Sequence, residues 1–247
     1  MTVYEKHDSI TLATVPLLIK TFSIYRNNAG LIVGYITWLL IPLVLKLLFT
    51  ITFAEEIAVS LSLAADTALF IVTLWVCVVL TLLTPEFLKK KRLPLWQIHK
   101  HAYILLPTFA LATLLYAAIS MLGFFLLVVP GLLMAVWFFF APTITVLERV
   151  SIRAAFARSK QLVAGRFAKI LRIALMGEAI LILLFLLVLL FIFLLFGLSQ
   201  GINAGALFST APTLLEEILE TLLTIALLPC LVIFKTLLYL AAQQKEL

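Results

Sequence analysis

The run Leu181–Phe196 contains no polar residue. Such a stretch must be buried, either by protein or by lipid. Charged residues make up 12% of the 247 and hydrophobic residues 64%, against about 25% and 45–50% in ordinary globular chains. Too few polar side chains remain to cover a soluble fold of this size. The sequence therefore predicts an all-α integral membrane protein, because a helix satisfies its own backbone inside the bilayer.

Six stretches reach the ~20 apolar residues a spanning helix needs, near 29–53, 57–83, 103–129, 132–148, 170–198 and 213–242. Ala54-Glu55-Glu56 and Val129-Pro130-Gly131 read as tight turns, so spans one and two, and spans three and four, are expected to form hairpins. Ser199–Pro212, rich in Gly, Asn, Ser and Thr, reads as the loop joining spans five and six. The expectation is one polytopic domain over 1–247 with three hairpins.

Charge sets the expected orientation. Of the 18 Lys and Arg residues, 16 fall on one side of these spans: Lys6, Lys20, Arg26, Lys89, Lys90, Lys91, Arg92, Lys100, Arg149, Arg153, Arg158, Lys160, Arg166, Lys169, Arg172 and Lys245. Lys46 and Lys235 lie within spans, and the opposite side carries Glu55, Glu56, Glu216, Glu217 and Glu220. The positive-inside bias predicts cytoplasmic N- and C-termini. The net charge of +6 then points to anionic headgroups rather than nucleic acid. Met1 to Ser9 is polar and leads to no cleavage site, so the first span is the expected targeting signal.

A short amphipathic segment precedes each hairpin. The first, about 12–26, sets Val15, Leu18, Phe22 and Tyr25 at helical spacing. The second, about 94–103, carries Trp96, His99, Lys100 and Tyr103. The third, about 150–166, aligns Ile152, Ala155, Phe156, Leu162 and Val163, with Arg149, Arg153 and Lys160 along one edge and Arg158 near the other. Basic flanks and aromatic content suit the cytoplasmic headgroup boundary. The plain alternative is three connecting helices packed on the bundle.

Ionisable residues at bilayer depth are costly and call for partners. Lys46 lies nine residues before Glu55, and Asp66 ten after Glu56. At ~1.5 Å per residue both lie on the order of 15 Å below the outer surface. Glu178 and Lys235 sit symmetrically about the Ser199–Pro212 loop. Two charge pairs, Lys46–Asp66 and Glu178–Lys235, are therefore expected. They serve either as a relay or gate, or as neutralised pairs that fix helix register. Alternatively Lys46 snorkels outward and leaves Asp66 protonated.

Gly30 and Gly34 form a GxxxG that permits close helix packing or a homo-oligomer. Pro107, Pro142 and Pro229 lie within spans and are expected to kink them. Cys77 and Cys230 sit in apolar runs and read as small hydrophobic residues. The sequence has no HExxH, no phosphate-binding Gly-Lys-Ser/Thr loop and no GxSxG. His99 and His101 would point about 200° apart on a helix, which makes a poor metal pair. No catalytic residue, metal or cofactor is expected.

Val128-Val129-Pro130-Gly131, the aromatic run Trp137–Phe140, Ala141-Pro142, Glu148, Ala155-Phe156-Ala157-Arg158-Ser159, Leu162 and Gly165-Arg166-Phe167 form a connected pattern over 128–172. It resembles the YciC-like bacterial membrane proteins and the membrane domain found beside glycerophosphoryl diester phosphodiesterases. Phe22-Ser23-Ile24-Tyr25-Arg26-Asn27-Asn28 extends the likeness. The resemblance implies a bacterial inner-membrane protein connected with lipid. The phosphodiesterase domain is absent from this sequence, so its activity does not follow.

In that stretch Glu148 is expected either to face the N-terminal dipole of the third segment or to pair with Arg149 or Arg153. Arg149, Arg153, Arg158, Ser159, Lys160 and Arg166 are the expected lipid-headgroup ligands. Together these readings favour a non-enzymatic protein that binds or organises anionic lipids or partner membrane proteins. The alternative is a small transporter or channel built on the two charge pairs.

Overall fold

A computed structural model describes residues 11–53, 55–89, 95–199 and 214–244. Among the described residues there is no strand, and the chain forms helices α1 (Thr14–Asn27), α2 (Ala29–Thr52), α3 (Glu55–Lys89), α4 (Leu95–Leu126), α5 (Val128–Trp137), α6 (Ala141–Leu147), α7 (Ile152–Val163), α8 (Phe167–Ser199) and α9 (Leu214–Gln244). Among the described residues six stretches are long and apolar enough to cross a membrane: Ala29–Thr52, Val59–Lys89, Leu95–Leu126, Val128–Leu147, Phe167–Ile192 and Thr224–Gln244. The all-helical architecture fits a multi-pass membrane protein.

The fourth of these is not one helix. Pro142 has no N–H for the Phe138 carbonyl four residues back, and its ring crowds that carbonyl. The chain answers with a turn at 138–140, in which Ala141 N–H takes the Phe138 carbonyl at 3.0 Å. Pro142 therefore opens α6 rather than kinking a continuous span. Pro42, Pro85, Pro107 and Pro229 do lie inside helices.

The segment at 94–103 also departs from expectation. From Leu95 onward it is continuous with α4, because neither Gly nor Pro interrupts the run before Pro107. In α1 the buried face is Leu17, Leu18, Thr21 and Ile24, while Val15 and Phe22 point outward. The helix is apolar on both sides, so its periodicity alone did not single out the packing face.

Helix α9 touches α1, α2, α3 and α8 and carries a dense buried stretch, Ile233, Phe234 and Leu237 to Ala242. Facing it are Val76 to Leu80 of α3, Phe140 and Ile144 at α6, and Ile170 and Ile173 of α8. The packed core thus gathers where the basic residues lie. Ile41 to Ile71, Leu111 to Val129 and Leu175 to Leu195 instead supply most of the exposed large apolar side chains. This is the distribution expected where lipid replaces protein as the neighbour.

Candidate functional site

A polar network joins α6, α7 and α9. Ser151 caps α7, its Oγ accepting from Ala154 N–H at 3.5 Å. Arg149, just before it, has a φ of 53°, the left-handed conformation in which the chain reverses from α6 into α7. Ala155, Ser159, Leu162 and Val163 then turn inward.

Ser159 is fully buried. Its hydroxyl donates to the Trp137 carbonyl at 2.7 Å and accepts from Phe140 N–H at 3.2 Å. Those two groups lose their helical partners at the turn before Pro142. The serine plugs that break from another helix. It is not a headgroup ligand, because its donor and acceptor are committed inside the protein.

Glu148 closes α6 and faces α9 and α7. Tyr239 Oη donates to Glu148 Oε1 at 2.7 Å, and Arg158 Nε lies 3.7 Å from the same oxygen. The carboxylate therefore engages neither Arg149 nor Arg153, and the α7 N-terminus is served by Ser151. Arg166 donates from a guanidinium nitrogen to the Ala242 carbonyl at 3.2 Å, tying the start of α8 to the end of α9. Of the six expected headgroup ligands, Arg149, Arg153 and Lys160 are exposed. Lys160 Nζ also sits 4.7 Å above the Trp137 ring.

The intramembrane charges separate into two arrangements. Lys46 Nζ lies 3.2 Å from Asp66 Oδ1. Their backbones are not level: Lys46 is about 9 Å from the end of α2 and Asp66 about 16 Å from the start of α3, at ~1.5 Å per residue. Each Cα–Cβ bond tilts toward its own helix N-terminus. On antiparallel helices that tilt carries the long lysine inward and the aspartate outward until they meet.

Glu178 and Lys235 do not form a direct ion pair among the described residues. Lys235 Nζ instead lies 4.6 Å from the Phe139 ring centre and 5.3 Å from that of Tyr116. The negative ring faces attract the ammonium, and Glu178 acts on it only as a nearby charge.

Nor do Gly30 and Gly34 mediate a close approach, since nothing lies within 4 Å of a Cβ built at either. Two other sites carry that role. A Cβ at Gly177 would overlap the Phe234 ring, and one at Gly123 would lie 2.9 Å from Gly131 Cα. These glycines seat α8 on α9 and α4 on α5. His99, set aside above as a metal ligand, joins an aromatic cluster. It stacks on Trp75 with ring centres 5.5 Å apart, and its Nε2 lies 3.4 Å from Tyr35 Oη. Outside the spans, burial of the Tyr25 phenol raises its pKa above the ordinary value, with a smaller contribution from Cys230.

No protein-family model, curated protein or solved structure matches this chain.

Proposed function

We propose that this protein binds or organises anionic lipids, without catalysing a reaction, through the basic surface of α7 and the adjoining helix ends. The observation that supports this most directly is the split of α7 between two faces. Ala155, Ser159, Leu162 and Val163 are sealed against the bundle, while Arg153 and Lys160, with Arg149 before the helix, stay exposed. Cations held outward by a fixed apolar face suit an anionic headgroup layer. Arg158 and Arg166 take structural roles in this reading.

In the same reading the chain makes three hairpins, α2 with α3, α4 with α5–α6, and α8 with α9. Each is entered from the cytoplasmic side by an amphipathic stretch: α1, the first turns of α4, and α7. Both termini lie in the cytoplasm, and the membrane is a bacterial inner membrane. The one-sided distribution of Lys and Arg supports the orientation. The resemblance of 128–172 to YciC-like proteins supports the membrane and the connection with lipid.

The test is native mass spectrometry of gently extracted protein beside an Arg149→Gln, Arg153→Gln, Lys160→Gln variant. Each cation near an anionic surface contributes ~1 kcal/mol. The variant should therefore retain anionic lipid on the order of a hundredfold more weakly. Equal, unselective lipid on both proteins would reduce these residues to topological anchors. A transporter or channel using Lys46, Asp66, Glu178 and Lys235 would then take precedence.

A further inference from the structure

Three helices turn polar side chains toward one another within the spans. On α4, Phe109, Ala112 and Gly123 are buried, and Tyr116 and Ser120 fall on the same stripe at helical spacing. On α8, Glu178 follows buried Ala174 by four positions and precedes buried Leu181 by three. On α9, Lys235 follows the fully buried Phe234 that meets Gly177. All four polar residues lie inside spanning stretches, and all four are half-buried.

Lys235 stands ~14 Å before the end of α9, and its Cα–Cβ bond tilts toward the helix N-terminus, away from that end. Its ammonium accordingly rests against the rings of Phe139 and Tyr116, at 4.6 and 5.3 Å, instead of reaching back toward the basic face. Glu178 acts electrostatically on both Lys235 and Tyr116. Yet among the described residues neither the ammonium nor the carboxylate makes a hydrogen bond. Ser120 Oγ is buried and also lacks a partner, since the nearby Tyr116 hydroxyl misses hydrogen-bond geometry. Charge in hydrocarbon needs polar partners, and ring faces supply only part of that need.

We infer that Tyr116, Ser120, Glu178 and Lys235 hold water between α4, α8 and α9, bridging the ammonium to the carboxylate in place of direct contact. The donor and acceptor set selects water. An ammonium only donates, an ionised carboxylate only accepts, and the two hydroxyls do either. A buried water takes about 2–4 such partners. An anion in the same place would meet Glu178, and a cation would meet Lys235. Lys46 and Asp66 differ, because they touch directly at 3.2 Å. Of the two charge pairs, Glu178–Lys235 is therefore the one with the wet, polar surroundings that a transporter needs and a lipid organiser does not.

X-ray radiolysis makes hydroxyl radicals from water, bound water included, and mass spectrometry reads which side chains they modify. The full chain is irradiated in lipid nanodiscs, carrying Leu114→Met as a reference. Leu114 is 54% exposed and two positions from Tyr116, about 200° away around α4, so it faces lipid at nearly the same depth. Methionine oxidises readily, so radicals arriving through lipid would register there. Tyr116 should be labelled, and the Leu114→Met side chain should stay unmodified. Glu178→Leu, Lys235→Leu removes both charges together, a change that buried ion pairs often tolerate. It should abolish the Tyr116 label.

An unlabelled Tyr116 in the protein with both charges intact means a dry core and overturns the inference. Equal labelling of the Leu114→Met side chain overturns it too, because the radicals would then come from outside the bundle. A Tyr116 label that survives Glu178→Leu, Lys235→Leu is equally fatal, since water there would not belong to the charges. The comparison of Tyr116 with the reference methionine needs no leucine variant, so the inference stays testable if that variant folds poorly. The site uses none of Arg149, Arg153 and Lys160, and failure here is distinguishable from failure of the basic-face reading.

Discussion

Tyr239 donates its phenolic hydrogen to Glu148 across 91 positions of sequence, at 2.7 Å. The tyrosine is 1% exposed, so water cannot replace the carboxylate if it is removed. Hydrogen bonds to charged groups contribute about 1.5–3 kcal/mol. Tyr239→Phe is expected to cost that order of stability. Glu148→Ala should cost more, since it leaves the buried hydroxyl without that acceptor and removes the carboxylate beside Arg158. A detergent melting series should give Tyr239→Phe, Glu148→Ala a loss well below the sum of the singles. Additive losses would show that the two residues act separately.

Ser159→Ala removes one hydroxyl and strands two backbone groups, the Trp137 carbonyl and Phe140 N–H. Leaving a buried polar group unmet costs about 1–3 kcal/mol. The variant should melt markedly lower than wild type, whereas exposed Arg153→Ala should lie within about 0.5 kcal/mol of it. Accelerated proteolysis between α5 and α6 is the local signature to look for. A Ser159→Ala protein as stable and protected as wild type would remove the plug from the account.

The contrast between Ser159 and its neighbours explains what sequence conveys here. Spans are legible because apolar runs such as Leu181–Phe196 have one physical solution. The approach of Lys46 to Asp66 is legible because so few residues separate the first two apolar runs that α2 and α3 have little freedom of register. Ser159 was misread because it stands between Arg158 and Lys160. Its spacing of four from Ala155 and three from Leu162 already placed it on the buried face. For Glu178 and Lys235, depth arithmetic supplies a level along the helix but no direction around it. Lys235 turns to Tyr116 and Phe139, which only tertiary packing reveals.

Glycine spacing is legible as a motif and still misleads. Gly30 and Gly34 face open space, and Gly177 faces the Phe234 ring. Gly177→Ala is expected to push α8 from α9 and destabilise by about 1–3 kcal/mol, the scale of overpacking. Gly30→Ala and Gly34→Ala should be neutral or slightly stabilising in the monomer, because alanine is the better helix former. Adding Phe234→Leu to Gly177→Ala should recover part of the loss in melting experiments. No recovery in the double variant would place the strain elsewhere.

The Lys46–Asp66 pair gives a prediction whose sign separates pairing from coincidence. Removing one partner leaves the other charged in an apolar setting, while removing both leaves only a small void at the lipid boundary. Asp66→Ala alone should therefore destabilise the protein more than Lys46→Ala, Asp66→Ala together. Lys46 keeps an escape, since its long stem can lift the ammonium toward the headgroups. Asp66 is shorter and 47% exposed, so Lys46→Ala should be the worse of the two single variants at neutral pH. Melting curves of the three variants measure both orderings. Equal losses for single and double variants would mean that the two charges do not support one another.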